Sequence, residues 1–118
     1  MLEEGCIYII YCNYINPPHD KICLCFNATD RLFFFVNSRP RLPLDAQEPV
    51  SLLEHSALSH DSFIDLSSAK TFSPLEVARA AERGALSAAV VQRVRARLVT
   101  GAKTLPPRYR TLALDGLK

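Results

Sequence analysis

Residues 31–41 read RLFFFVNSRPR, and the five apolar residues from Leu32 to Val36 decide the fold class. The run is too short for an ordinary helix and does not alternate with polar residues, so it is expected to be a strand buried on both faces. It ends abruptly in Asn37-Ser38-Arg39. Polar groups delivered by the end of a buried strand are held more rigidly than groups on a free loop, and a binding or catalytic site needs that rigidity.

Working backwards, Lys21 to Asn27 is a second strand, with Ile22, Leu24 and Phe26 on one face and Cys23 and Cys25 on the other. Ala28-Thr29-Asp30 makes a short turn, so these two strands are expected to pair as an antiparallel hairpin. Gly5 to Cys12 is the first strand, rich in β-branched and aromatic residues. Between them, residues 13–20 form a loop, because neither Pro17 nor Pro18 has an N–H for a ladder.

Working forwards, Pro40, Pro43 and Pro49 mark a loop over residues 39–49, with a short strand expected at Val50 to Leu53. Ser62 to Leu66 is a further strand. Ser73-Pro74-Leu75-Glu76 then joins an N-cap serine, a proline at the first helical position and a glutamate at N3. The helix it opens is expected to reach Arg83 and stop at Gly84. Ser87 caps a last helix ending near Gly101, whose Val90, Val91, Val94 and Leu98 form one apolar stripe. Residues 102–118 read as an arm, either packed on another subunit or partly disordered.

The expected architecture is one domain of the mainly β class: a small SH3-like barrel over residues 5–68, two helices over 73–101, and the arm. A chain of 118 residues can bury its own core. Its hydrophobic fraction of 48%, charged fraction of 22% and mean hydropathy of +0.05 are those of a globular protein rather than a membrane protein. No apolar run reaches the length of a spanning helix, and the opening Met-Leu-Glu-Glu is acidic where a signal peptide is basic, so the cytoplasm is the expected compartment. Four cysteines fit that compartment as reduced, buried hydrophobes, since C-x-C within a strand is not zinc spacing and no metal site is expected.

Charge is unevenly spread. Residues 1–68 carry four basic and nine acidic groups, residues 69–118 ten basic and three acidic. Either the second half draws an acidic partner, or the halves attract one another or a second subunit. Arg93, Arg95 and Arg97 flank the apolar stripe, where arginines lay their stems over the apolar edge or present a nucleic-acid face.

Two clusters carry potential chemistry. In the hairpin, Lys21 at the start of one strand lies beside Asn37, Ser38 and Arg39 at the end of the other; a cation beside an amide and a hydroxyl makes an anion site, or else simply a solvated hairpin end. The second cluster holds His55, His60, Asp61, Ser62 and Asp65. His60 with Asp61 or Asp65 is an acid/base pair in one reading, and Asp61-Ser62 satisfies turn backbone donors in the other. With four glycines, none in a phosphate-cradling pattern, ATP, NAD and flavin cofactors are not expected.

The order of elements resembles the PemK/MazF-like toxin family. The matching features are Gly5 opening the first strand, a proline-containing loop before a basic residue that starts strand two, a third strand ending Val36-Asn37-Ser38, and Gly84-Ala85-Leu86-Ser87 opening the last helix. The likeness spans residues 5–100. It implies an SH3-like barrel that forms a homodimer, cuts single-stranded RNA without a metal, and meets an antitoxin-like protein partner. The family's catalytic pair falls on Lys21 and Ser38. Lys21 stands where the family has arginine, Ile22 where it has proline, and Asn37 where threonine is usual. On this reading Lys21, Ser38 and His60 are the catalytic candidates, with Asn37, Arg39, Arg41 and Asp61 binding substrate. The alternative is a non-catalytic dimeric module binding a protein or nucleic acid through its basic half.

Overall fold

The computed structural model describes residues 1–118. Seven strands, β1 (Cys6–Cys12), β2 (His19–Asn27), β3 (Leu32–Asn37), β4 (Gln47–Val50), β5 (Ser62–Asp65), β6 (Lys70–Thr71) and β7 (Ala81–Ala85), make one antiparallel sheet. Three helices accompany it: α1 (Pro74–Ala78), α2 (Ala88–Thr100) and α3 (Pro107–Gly116). The strand order is β4-β5-β3-β2-β1-β7, with β6 beside β5 on the same partner, β3. The fold is mainly β with C-terminal helices, as expected. The end strands β4 and β7 are not paired to one another, so the sheet does not close into a barrel.

The β2–β3 hairpin forms in the expected register, with Cys23 opposite Phe35 and Ile22 opposite Val36. Side-chain alternation then sorts the hairpin onto two cores. Leu24, Phe26, Leu32, Phe34 and Val36 face a main core closed by Val90, Val91, Val94 and Leu98 of α2, and Phe26 stacks on Phe34 with ring centroids 4.2 Å apart. Cys23, Cys25 and Phe33 face a second core with Cys6, Tyr8, Ile10, Cys12 and Phe72, and Val77 and Ala80 pack against it. Strand three is thus buried on both faces, which is why its sequence is a continuous apolar run rather than an alternating one.

Beyond β3, four further expectations change. The short strand lies at Gln47–Val50 rather than from Val50 to Leu53, and residues 52–54 form a 3-10 turn capped by Ser51. Pro49 is tolerated because β4 is an edge strand. The capping box at Ser73 and Glu76 forms, but α1 ends at Ala78 instead of running to Arg83. Residues 81–85 pair with β1 instead: tertiary pairing of an otherwise open edge overrides the helical propensity of Ala-Ala-Glu-Arg. Gly84 is therefore no helix terminus; its φ of +94° serves a bulge between the Ala85 and Glu82 pairings.

The tail is the fourth. Residues 102–118 are no arm: α3 packs on β2, and Leu105, Ala113 and Leu117 are buried in the main core. Two arginines fasten it. Arg110 donates to the carbonyls of Leu98, Gly101 and Ala102 at the end of α2, and Arg95 donates to those of Leu114 and Leu117. Carbonyls at a helix end lack intrahelical partners, so arginine is well suited to both places.

The basic second half is explained in part by the same use. Arg97 Nε lies 2.8 Å from Glu48 Oε1, Arg93 Nε lies 3.3 Å from Glu48 Oε2, and Arg93 also reaches Glu54 at 2.8 Å. The two halves attract one another here, and the α2 arginines are committed within the fold. The Glu48 side chain is 8% exposed, whereas Arg93 and Arg97 are 40% and 31% exposed. Glu48→Gln is therefore expected to destabilise the fold by about 1–3 kcal/mol, the usual cost of breaking a buried pair reduced by solvent at the arginines. Urea unfolding measures it, and an unchanged midpoint contradicts it.

Candidate functional site

The second core runs out of cover at one end. There β2 and β3 present Lys21, Phe35 and Asn37 on the face that carries the cysteines, because each lies an even number of residues from Cys23 or Phe33. A cleft of about 360 Å³ opens over them, lined by Tyr14, Ile15, Asn16, His19, Lys21, Phe35, Asn37, Arg41, Asp65 and Lys70.

Lys21 Nζ donates to Asn37 Oδ1 at 2.6 Å, so the expected juxtaposition of the hairpin's two ends is present. The same ammonium lies 4.9 Å from the centroid of the Phe35 ring, and Lys70 Nζ lies 5.1 Å from it. Attraction between a cation and the ring's electron-rich face holds both lysines beside one aromatic floor. Burial, with the nearby Arg41 charge, pushes the Lys21 ammonium below the ordinary lysine value; Cys23, Cys12 and Asp65 act in the opposite direction.

One carboxylate enters the cleft. Asp65 Oδ1 accepts from Gln47 Nε2 at 2.8 Å, from the Ser67 backbone N–H at 2.9 Å and from the Ser67 hydroxyl. All three donors meet the same oxygen, and Asp65 makes no direct ion pair: the fold's three ion-paired contacts all belong to Arg93 and Arg97. Lys21, Arg41 and Lys70 therefore line one cleft without a carboxylate partner of their own. Three cations against one carboxylate leave the cleft with an excess of positive charge, which suits an anion.

The other candidates lie elsewhere. Ser38 and Arg39 are exposed just beyond the end of β3 and do not line the cleft. His60 is exposed and contacts Ser59, its neighbour, at 3.1 Å. Asp61 accepts from the Leu52 backbone N–H at 2.9 Å, and the Ser62 hydroxyl donates to the His60 carbonyl at 2.9 Å, so this segment satisfies turn backbone. His55 is buried: its Nδ1 accepts from the Ala57 N–H at 3.0 Å, which leaves Nε2 to donate to the Gly84 carbonyl at 3.1 Å and hold β7's bulge.

Sequence reasoning missed Tyr14, His19 and Lys70 in the cleft, and weighed Asp65 only with His60. Parity along the strand was the available signal for His19, two residues before Lys21. Nothing local marked Lys70, because β6 has only two residues.

All four cysteines are buried and free. Burial pushes their thiols up, Cys25 to about 12, so almost none exists as the reactive thiolate at neutral pH. A water-soluble aromatic disulfide reagent is expected to label no cysteine until the protein unfolds; one thiol reacting in the native state at the rate of a free thiol contradicts this. Nowhere do three or more His, Cys, Asp or Glu side chains group to hold a metal ion. No helix is long and apolar enough to cross a membrane.

Comparison with protein-family models and with curated proteins finds no match.

Proposed function

We propose that the protein is an endoribonuclease of the PemK/MazF-like kind, acting on single-stranded RNA through the Lys21 cleft. The observation that carries the reading is the convergence of Lys21, Arg41 and Lys70 without carboxylate partners around the exposed edge of the second core. A phosphodiester fits between such cations. Its neighbouring base can lie against Tyr14, which is 56% exposed and tilted against Phe72. In the reaction a ribose 2′-hydroxyl attacks the adjacent phosphorus, and Lys21 and Arg41 stabilise the charge gathering on the phosphoryl oxygens. Asn37 offers its amide nitrogen to the same oxygens while its Oδ1 positions Lys21.

The test is incubation of purified protein with a long single-stranded RNA in EDTA, with fragment ends mapped. Discrete cuts leaving cyclic phosphate and 5′-hydroxyl ends support the reading. Three cations meeting phosphates should also give binding that falls with salt at a logarithmic slope of roughly −2. Intact RNA overturns it, whether or not the RNA binds at low salt.

A second reading, a non-catalytic module for a protein partner, is favoured by one observation. A groove of about 640 Å³, lined by Met1, Leu2, Tyr8, Pro74, Val77 and Ala80 among others, lies beside the edge strand β7. A chain that ignores RNA and is indifferent to substitution of Lys21 belongs to this second class.

A further inference from the structure

We infer that His19 Nε2 is the group that takes the proton from the attacking 2′-hydroxyl, a role for which His60 is misplaced; the inference rests on the endoribonuclease reading and assigns it a base. His19 opens β2 opposite Cys12 and lines the cleft with Lys21, Asn37 and Arg41. Its Nδ1 lies 2.7 Å from the Pro17 carbonyl oxygen. A carbonyl oxygen only accepts, so Nδ1 carries the hydrogen of the neutral ring. The lone pair is then on Nε2, the nitrogen with no partner in the protein. The bond to Pro17 does for the ring what a second partner does for any working histidine: it selects the tautomer and sets the ring's direction.

The other two histidines lack this arrangement. Both nitrogens of His55 are taken by Gly84 and Ala57, and His60 lies outside the cleft against Ser59. Lining the cleft with His19 are Tyr14 from the β1–β2 connection, Lys21 on its own strand, Arg41 after β3, Asp65 of β5 and Lys70 of β6. Three of these are cations and one is a carboxylate.

The step balances. The 2′-oxygen gives its proton to Nε2 and bonds to phosphorus; the P–O5′ bond breaks and the 5′-oxygen takes a proton from solvent. The imidazolium then returns its proton to solvent. Cyclic 2′,3′-phosphate and a 5′-hydroxyl result, with no oxidant, reductant or metal needed. A general base acts in its neutral form, so the rate should fall on the acid side.

The experiment compares wild type, His19→Gln and His60→Gln in EDTA across pH, and follows the imidazole proton resonances of the three histidines during addition of uridine 3′-monophosphate. Expected are a loss of about 10²-fold in cleavage for His19→Gln with RNA binding unchanged, disappearance of the acid limb of the rate profile, and wild-type behaviour for His60→Gln. The nucleotide should move the His19 resonance and leave those of His55 and His60 in place. Cleavage by His19→Gln within about threefold of wild type, or with the acid limb intact, overturns this inference and leaves the endoribonuclease reading standing. RNA left intact by wild type overturns both; a His19 resonance that still moves then keeps the cleft as a nucleotide site without the proton transfer.

Discussion

Lys21→Met is expected to lower RNA cleavage by about 10²–10³-fold, the usual effect of removing one preorganised charge from a developing oxyanion. Methionine keeps the stem packed beside Phe35 and deletes only the ammonium. The Asn37 oxygen loses its donor, so the fold should weaken by about 1 kcal/mol, too little to unfold it. Lys21→Arg separates charge from geometry. It restores a cation and a planar fork for phosphate, and should cut within about tenfold of wild type. It also tests the environment of Lys21. Burial and the Arg41 charge hold this lysine below its ordinary value, so the folded protein binds the proton less tightly than the unfolded chain does. The ammonium therefore disfavours folding at low pH, and that cost is relieved as pH rises through the lowered value. For function the sign is opposite: the charge needed by phosphate is lost as pH rises through it. Wild type should show an alkaline fall in rate that Lys21→Arg shifts to higher pH. Equal cleavage by wild type and Lys21→Met would remove the cleft from the mechanism.

What made the hairpin and its site legible was redundancy. In residues 21–37 strand parity, a short turn and a double-sided apolar run all point to one register, and that register alone brings Lys21 to Asn37. The apolar stripe of α2 was legible for the same reason, since 3.6-residue spacing and the Ser87 cap agree. Where a segment carried contradictory signals the reading failed. Residues 79–85 have helix-forming composition, yet β1 would have been left with an unpaired edge, and an edge is a property of the whole sheet that no local window contains. The tail failed likewise: Arg95 and Arg110 look like surface charge until the helix ends they satisfy are known. The site itself was half visible. Residues that meet by pairing of neighbouring strands were found, while Lys70 and His19 join the cleft through a two-residue strand and a strand that begins two residues early. His60 was a candidate through its nearness in sequence to Asp61 and Asp65, and nearness in sequence does not place a side chain in a site.

Gly116→Ala should destabilise the fold by roughly 3 kcal/mol, at the upper end of the cost of overpacking. A Cβ on residue 116 would stand 2.0 Å from the Phe26 carbonyl oxygen and 3.1 Å from its carbon. Neither neighbour is a side-chain tip that can swing aside; both are backbone of β2, at the irregularity between the Cys25 and Asn27 pairings with β3. The helix must therefore move. Its displacement lifts Ala113 and Leu117 from the main core and loosens the carbonyls that Arg95 holds. The thermal midpoint should fall by about 10 °C, while Asp115→Ala, on the exposed side of the same helix, should shift it by no more than about 2 °C. The two faces of the sheet make a sharper comparison possible. Phe26 and α3 lie on the main-core face, whereas Lys21, Phe35 and Asn37 share the opposite face with the cysteines. RNA cleavage per folded molecule should then survive Gly116→Ala well below its midpoint. A variant as stable as wild type would mean that α3 does not seat against Phe26, and a stable variant without activity would mean that α3 communicates with the cleft through the sheet.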